Sequence, residues 1–206
     1  MVNTRSPLMI SAIVAAVLFA IGYAVGLVIP GGGTTTEEDF LDFYGGDPSF
    51  VVPLLLVLTL IAASWALLWF FTELRARLPD QVLSRTAYAV AIVGAGALAI
   101  GGALLFAPAG VQMNGDAAFV GAPVAHAFAQ AGLGAMLAVG MYSFALAVGL
   151  FSLALRRAAL VPGWLSVGGI VVAVLLLGSY IWAPGYLLPL WVLVVGVVGL
   201  RRSAAT

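Results

Sequence analysis

The sequence predicts an all-α integral membrane protein, a bundle of six transmembrane helices with both termini cytoplasmic, and three observations carry that prediction. Hydrophobic residues make up 64% of the chain and charged residues 8%, with mean hydropathy +1.18, whereas an ordinary soluble domain carries roughly 25% charged residues. The charges sit in a few short segments, and the uncharged runs between them are long enough to cross a hydrocarbon core about 30 Å thick. When the runs are threaded back and forth, every arginine falls on one side.

The first span is read at about 8–29, where Leu8 to Ile29 gives 22 residues without a charge, about 33 Å as a helix. Arg5 precedes it and Gly22-Tyr23-Ala24 has the small-x-small form of a cleavage site. Secretory apolar segments run only about 7 to 15 residues, so a retained helix is expected. The outer loop, 30–49, opens with Pro30-Gly31-Gly32-Gly33 and holds a short interfacial helix. Thr36 can cap it, Glu37 and Glu38 occupy a first turn whose dipole favours anions, and Phe40, Phe43 and Tyr44 share one face.

The second span, about 50–71, has Pro53 in its first turn, where a missing N–H is tolerated, and ends in Trp65, Trp69, Phe70 and Phe71. A charged connector broken by Pro79 follows, and the third span, about 87–106, is rich in Ala and Gly and is expected to end at Pro108. From Ala109 to Pro123 the chain is Gly-rich and carries Asp116, which suits a loop or re-entrant turn. Val124 to Leu155 is an apolar run of 32 residues, about 48 Å as a helix and longer than the core is thick. Its membrane portion is read at about 130–155, with His126 near the headgroups. Arg156-Arg157 end that span, Pro162 opens the fifth at about 163–182, and Pro184-Gly185 form an outer turn. The sixth, about 186–200, is short and is expected to lean on Trp182, Tyr186 and Trp191 as interfacial aromatics before Arg201-Arg202 stop it.

In this threading Arg5, Arg75, Arg77, Arg85, Arg156, Arg157, Arg201 and Arg202 lie together inside. Glu37, Glu38, Asp39, Asp42, Asp47 and Asp116 lie outside without a base among them, as the positive-inside rule requires. An interior helix more or less would move arginine pairs to the wrong face. The whole chain, 1–206, therefore reads as a single transmembrane domain placed in the cell membrane.

Several classes of function are excluded or disfavoured. No cysteine is present, so disulfides, thiolate metal sites, iron–sulfur clusters and a Cys nucleophile are ruled out, and no cofactor is expected. Zero net charge with paired bases offers no continuous cationic surface for nucleic acid. All basic residues are Arg, which fits a GC-rich bacterial coding sequence. No ionisable residue falls mid-span, which disfavours proton- or ion-coupled carriers, since these bind and release charge within the membrane.

The candidate ligand-binding residues are His126, Gln130, Tyr142 and Ser143. His126 is the only histidine, and with Gln130 one turn along it can bind a substrate, relay a proton or ligate haem. The plainer alternative is an interfacial polar residue with a local hydrogen bond. Gln130, Tyr142 and Ser143 around one cavity would favour a carrier, and His126 beside Asp116 an enzyme. Small residues four apart, Gly22 with Gly26, Gly134 with Ala138 and Ala145 with Gly149, mark helix-packing ridges, used within the bundle or in a dimer. No catalytic or metal-binding residue is assigned.

The segment from Arg156-Arg157 through Pro162-Gly163-Trp164-Leu165-Ser166 to Gly168-Gly169, followed by Leu188-Pro189-Leu190-Trp191, resembles a widespread group of small bacterial multi-pass membrane proteins catalogued as a domain of unknown function. That resemblance implies a six-span fold and brings no catalytic residues with it. The expected role is an interaction or accessory subunit whose partners are the lipid bilayer and another membrane protein or a second copy. The alternative is a carrier or channel for a neutral or lipophilic small molecule.

Overall fold

The computed structural model describes residues 7–26, 38–39, 51–79, 81–114, 122–179 and 183–203, and is helical nearly throughout them. Helix α1 is Pro7–Gly26, α2 Val51–Ala76 and α3 Val82–Asn114. Then α4, Ala122–Gly134, passes through a π-helical stretch, Ala135–Met141, directly into α5, Tyr142–Arg157. Helix α6 is Gly163–Leu176, a 3₁₀ turn covers Ala183–Tyr186, and α7 is Leu187–Ser203.

Four helical stretches are long and apolar enough to cross a membrane: Pro7–Gly26, Val51–Ala76, Val82–Gly110 and Pro123–Arg157. The remaining two apolar helices, in 163–176 and 184–198, are shorter. In three of the four long stretches only 44% of the most apolar part is buried, and the rest is partly or fully exposed. The outward side chains include Ile10, Val17, Ile21, Leu55, Leu58, Ile92 and Ile100. Water would not tolerate an apolar belt on that scale, and hydrocarbon solvates it without cost.

Each helix packs on the ones before and after it in the chain, and α7 returns to α1, so the bundle closes on itself. The serine and threonine hydroxyls within it mostly bond back to the preceding turn, as polar side chains do where no water is at hand. Ser11 donates to Leu8 O at 3.0 Å, Thr59 to Leu55 O at 2.7 Å, Ser64 to Leu60 O at 2.8 Å and Thr72 to Leu68 O at 2.7 Å.

Helix α3 departs from the expected span at both ends. It starts at Val82, where the Ser84 hydroxyl ties the connector down by bonding to Pro79 O at 2.8 Å and Gln81 O at 3.0 Å. It also continues through Pro108 to Asn114 where a loop was expected. Pro108 is buried, and prolines persist inside membrane helices because neighbouring groups compensate for the missing N–H. The rest of that loop, with Asp116, lies outside the described residues, as does the interfacial helix apart from Glu38 and Asp39, which are helical.

The turn between α5 and α6 explains how the basic pair ends a span. Ala159 N–H bonds to Arg156 O at 3.0 Å and Leu160 N–H to Leu155 O at 3.1 Å, the two bonds of a Schellman cap. Such a cap needs a left-handed residue, and Ala159 supplies it at φ 52° although glycine is the residue that adopts this conformation freely. Pro162, with extended backbone, then starts α6. Ala159→Gly should therefore stabilise the protein by about 1 kcal/mol, seen as a higher midpoint of thermal unfolding in detergent.

Candidate functional site

The part of the molecule that combines close packing, an irregular backbone and buried polar groups is where α3 and α2 pack against the α4–π–α5 rod and where α6 and α7 join that rod. The crossing of α3 with the rod is made by two glycine pairs. A Cβ placed on Gly101 would lie 2.7 Å from Gly132 O, and one on Gly132 would lie 2.8 Å from Gly101 O. A Cβ on Gly94 would lie 3.2 Å from Gly140 O, and one on Gly140 3.6 Å from Gly94 O. Backbone thus rests on backbone at both points, the close approach that small residues permit in lipid.

The spacing of these pairs accounts for the π-helical stretch. On α3 the two contact glycines are seven apart, which is about two α-helical turns of 3.6 residues. On the opposite rod Gly132 and Gly140 are eight apart, so a regular helix would rotate the second one off the seam. The wider turn of Ala135–Met141 absorbs the extra residue and keeps both glycines facing α3.

Beneath this seam the interior is closed by aromatic rings. Phe71 stacks on Phe151 at 5.3 Å and on Phe144 at 6.2 Å between ring centres, and Trp191 of α7 meets Phe70 at 6.2 Å and Phe71 at 6.5 Å. All five side chains are buried. Trp191 was expected among the interfacial aromatics, but it is only 3% exposed and sits in the core. Room for it comes from Gly169 on α6: a Cβ there would overlap the Ser152 hydroxyl and lie 2.7 Å from Trp191 Nε1.

A small buried polar node results. Ser166 Oγ donates to the Ser152 carbonyl at 2.8 Å, joining α6 to α5, while Ser152 Oγ and Trp191 Nε1 converge over Gly169 without a hydrogen-bond partner. Ser179 Oγ, at the end of α6, is likewise buried and unpartnered. The node was not singled out in the sequence as a unit. In the sequence Ser152 and Ser179 stand out as polar residues inside apolar runs, and the Gly168-Gly169 pair marks a close approach, but neither names a partner.

The candidate ligand-binding residues all lie on the α4–π–α5 rod. His126 and Gln130 are exposed one turn apart on α4, Tyr142 is 44% exposed and Ser143 half-buried at the start of α5. Gln130 and Tyr142 are twelve residues apart, about 18 Å along a helix, so they occupy successive outward positions on one rod rather than opposite walls. Of the packing glycines, Gly22 lies against Leu60 and Thr59 of α2, and a Cβ placed on Gly149 would lie 3.4 Å from the Ala173 methyl of α6. Gly26 is buried at the end of α1. Gly134 faces open space, because two residues of regular helix turn it away from the face on which Gly132 meets α3.

On the outer surface a groove of about 300 Å³ runs between α5 and α6. Ala145, Gly149 and Ala173 lie along it with Leu146, Leu153 and Val174, so it is apolar throughout. Comparison with protein-family models, with curated proteins and with solved structures finds no match to this chain.

Proposed function

We propose that this protein threads the cytoplasmic membrane six times, with both termini cytoplasmic, and serves there as an interaction or accessory subunit that works through its outward surfaces. The observation that carries the reading is the filled interior: Phe70, Phe71, Phe144, Phe151 and Trp191 close the middle of the bundle by ring-to-ring contact. A carrier needs a route through the bundle, and ring-to-ring packing at these positions disfavours one. The short helices α6 and α7 are read as the fifth and sixth spans because both are apolar, and a hairpin that crosses and returns keeps the arginine pairs at 156–157 and 201–202 on one side. Their limited length is made up by local bilayer thinning, by flanking residues that snorkel or by oligomerisation, each at a modest cost. The resemblance of residues 156–169 and 188–193 to small bacterial multi-pass proteins supports this arrangement and a bacterial origin.

The test is copurification of the full chain from mild detergent followed by mass spectrometry, repeated in several detergents. A stoichiometric membrane-protein partner or a stable second copy is the expected result. A clean monomer in every condition contradicts the accessory role, and detergent-independent uptake of a neutral solute by vesicles holding the purified chain supports a carrier instead.

A further inference from the structure

We propose that the groove between α5 and α6 is a binding site for one anionic phospholipid of the inner leaflet, with an acyl chain in the groove and the headgroup phosphate at Arg156 and Arg157. The inference rests on the membrane reading above. Its first support is the chemistry of the groove, whose lining is apolar and whose rims, Leu146 and Val174, are 52% and 62% exposed on a surface that faces hydrocarbon. Gly149 and Ala173 meet at its floor with no larger side chain between the two backbones, so the recess is built into the packing of the helices rather than left by a mobile side chain.

The second support is what lies at its end. On α5 the groove residues Gly149, Leu150 and Leu153 recur at helical spacing, and the next positions of that stripe are Arg156 and Arg157, both exposed. On α6, which runs back alongside, the stripe of Ile170 and Val174 continues toward the turn through exposed Val167 to Trp164, which is 65% exposed. Two guanidinium groups and an indole therefore stand where the hydrocarbon groove reaches the headgroup layer. Arg binds phosphate in bidentate fashion, and exposed indoles favour this depth. The Schellman cap at Ala158 to Leu160 fixes the path of the turn that carries the basic pair. Charge complementarity selects an anionic headgroup, and the apolar groove selects a diacyl lipid over a soluble phosphate.

The experiment is native mass spectrometry of the full chain, purified in mild detergent and offered equimolar dioleoyl phosphatidylglycerol and dioleoyl phosphatidylcholine. The wild type should retain a single phosphatidylglycerol with a preference of about thirtyfold, the size expected for two arginines near an anionic headgroup. The Arg156→Gln, Arg157→Gln double variant should lose the preference while still holding lipid of either kind. Val174→Trp, which fills the groove from its rim, should lose the retained lipid, whereas Leu190→Trp on the outward face of α7 should not. An undiminished preference in the double variant, or equal retention in the two Trp variants, overturns the proposal. Inorganic phosphate at millimolar concentration that displaces the lipid also overturns it. Carbonate extraction of membranes separates this from the wider reading: a chain that stays embedded but shows no lipid preference sinks the site alone, and a chain released by carbonate sinks both.

Discussion

Trp191→Ala should destabilise the protein by about 3–5 kcal/mol, the largest loss expected for any single truncation of the core. The indole is 3% exposed and touches α2 through Phe70 and Phe71, while its Nε1 end packs over Gly169 of α6. Removing it opens a cavity under three helices at once, and aromatic rings stacked on Phe144 and Phe151 leave their neighbours little freedom to collapse into it. Trp191→Phe keeps most of the ring, and it removes a buried N–H that has no hydrogen-bond partner, so its cost should stay under about 1.5 kcal/mol. Unfolding by titration with sodium dodecyl sulfate in mixed micelles distinguishes the two. Similar losses for Ala and Phe would mean that the indole N–H matters and the ring does not, contrary to this packing.

The second large effect is positional. Gly132→Ala should cost about 2–3 kcal/mol, because the added methyl meets the Gly101 carbonyl oxygen at 2.8 Å and the Leu105 side chain at the same distance. Backbone cannot step aside as a side chain can, so α3 must move away from the rod and loosen the Gly94–Gly140 contact as well. Gly134→Ala, two residues along the same helix, meets nothing within 4 Å and should be neutral or stabilising by up to about 1 kcal/mol through helix propensity. The same titration measures both. The contrast between them tests which face of α4 carries the seam, since the two glycines lie two residues apart on one regular helix.

Those positions also show where sequence reasoning reached and where it stopped. The helical class and the apolar stretches were legible because absence of charge over twenty residues is a strong, local signal in a chain with 8% charged residues. The end of α3 was not, because Pro108 is a helix breaker in water and a tolerated residue among packed membrane helices. Gly134 and Ala138 have the four-residue spacing of a packing ridge, yet the seam uses Gly132 and Gly140, eight apart. An eight-residue period fits neither helix type, so it carries no meaning until the π turn is seen. Trp191 looked interfacial from its place near the start of a short span, and only the pairing of α7 with Gly169 of α6 shows why it is buried. In each case the missing information is which helix lies next to which, and lipid-facing and protein-facing apolar residues look alike in a sequence.

Because the chain contains no cysteine, single cysteines placed by mutation report the threading without a background. The decisive measurement is labelling of Asp42→Cys, Pro79→Cys, Asp116→Cys and Thr206→Cys by a membrane-impermeant maleimide in intact cells. Six spans with the arginines inside require label at positions 42 and 116 before permeabilisation and at 79 and 206 only after it. Labelling of Pro79→Cys or Thr206→Cys in intact cells, or protection of Asp116→Cys, would contradict the threading on which the account is built.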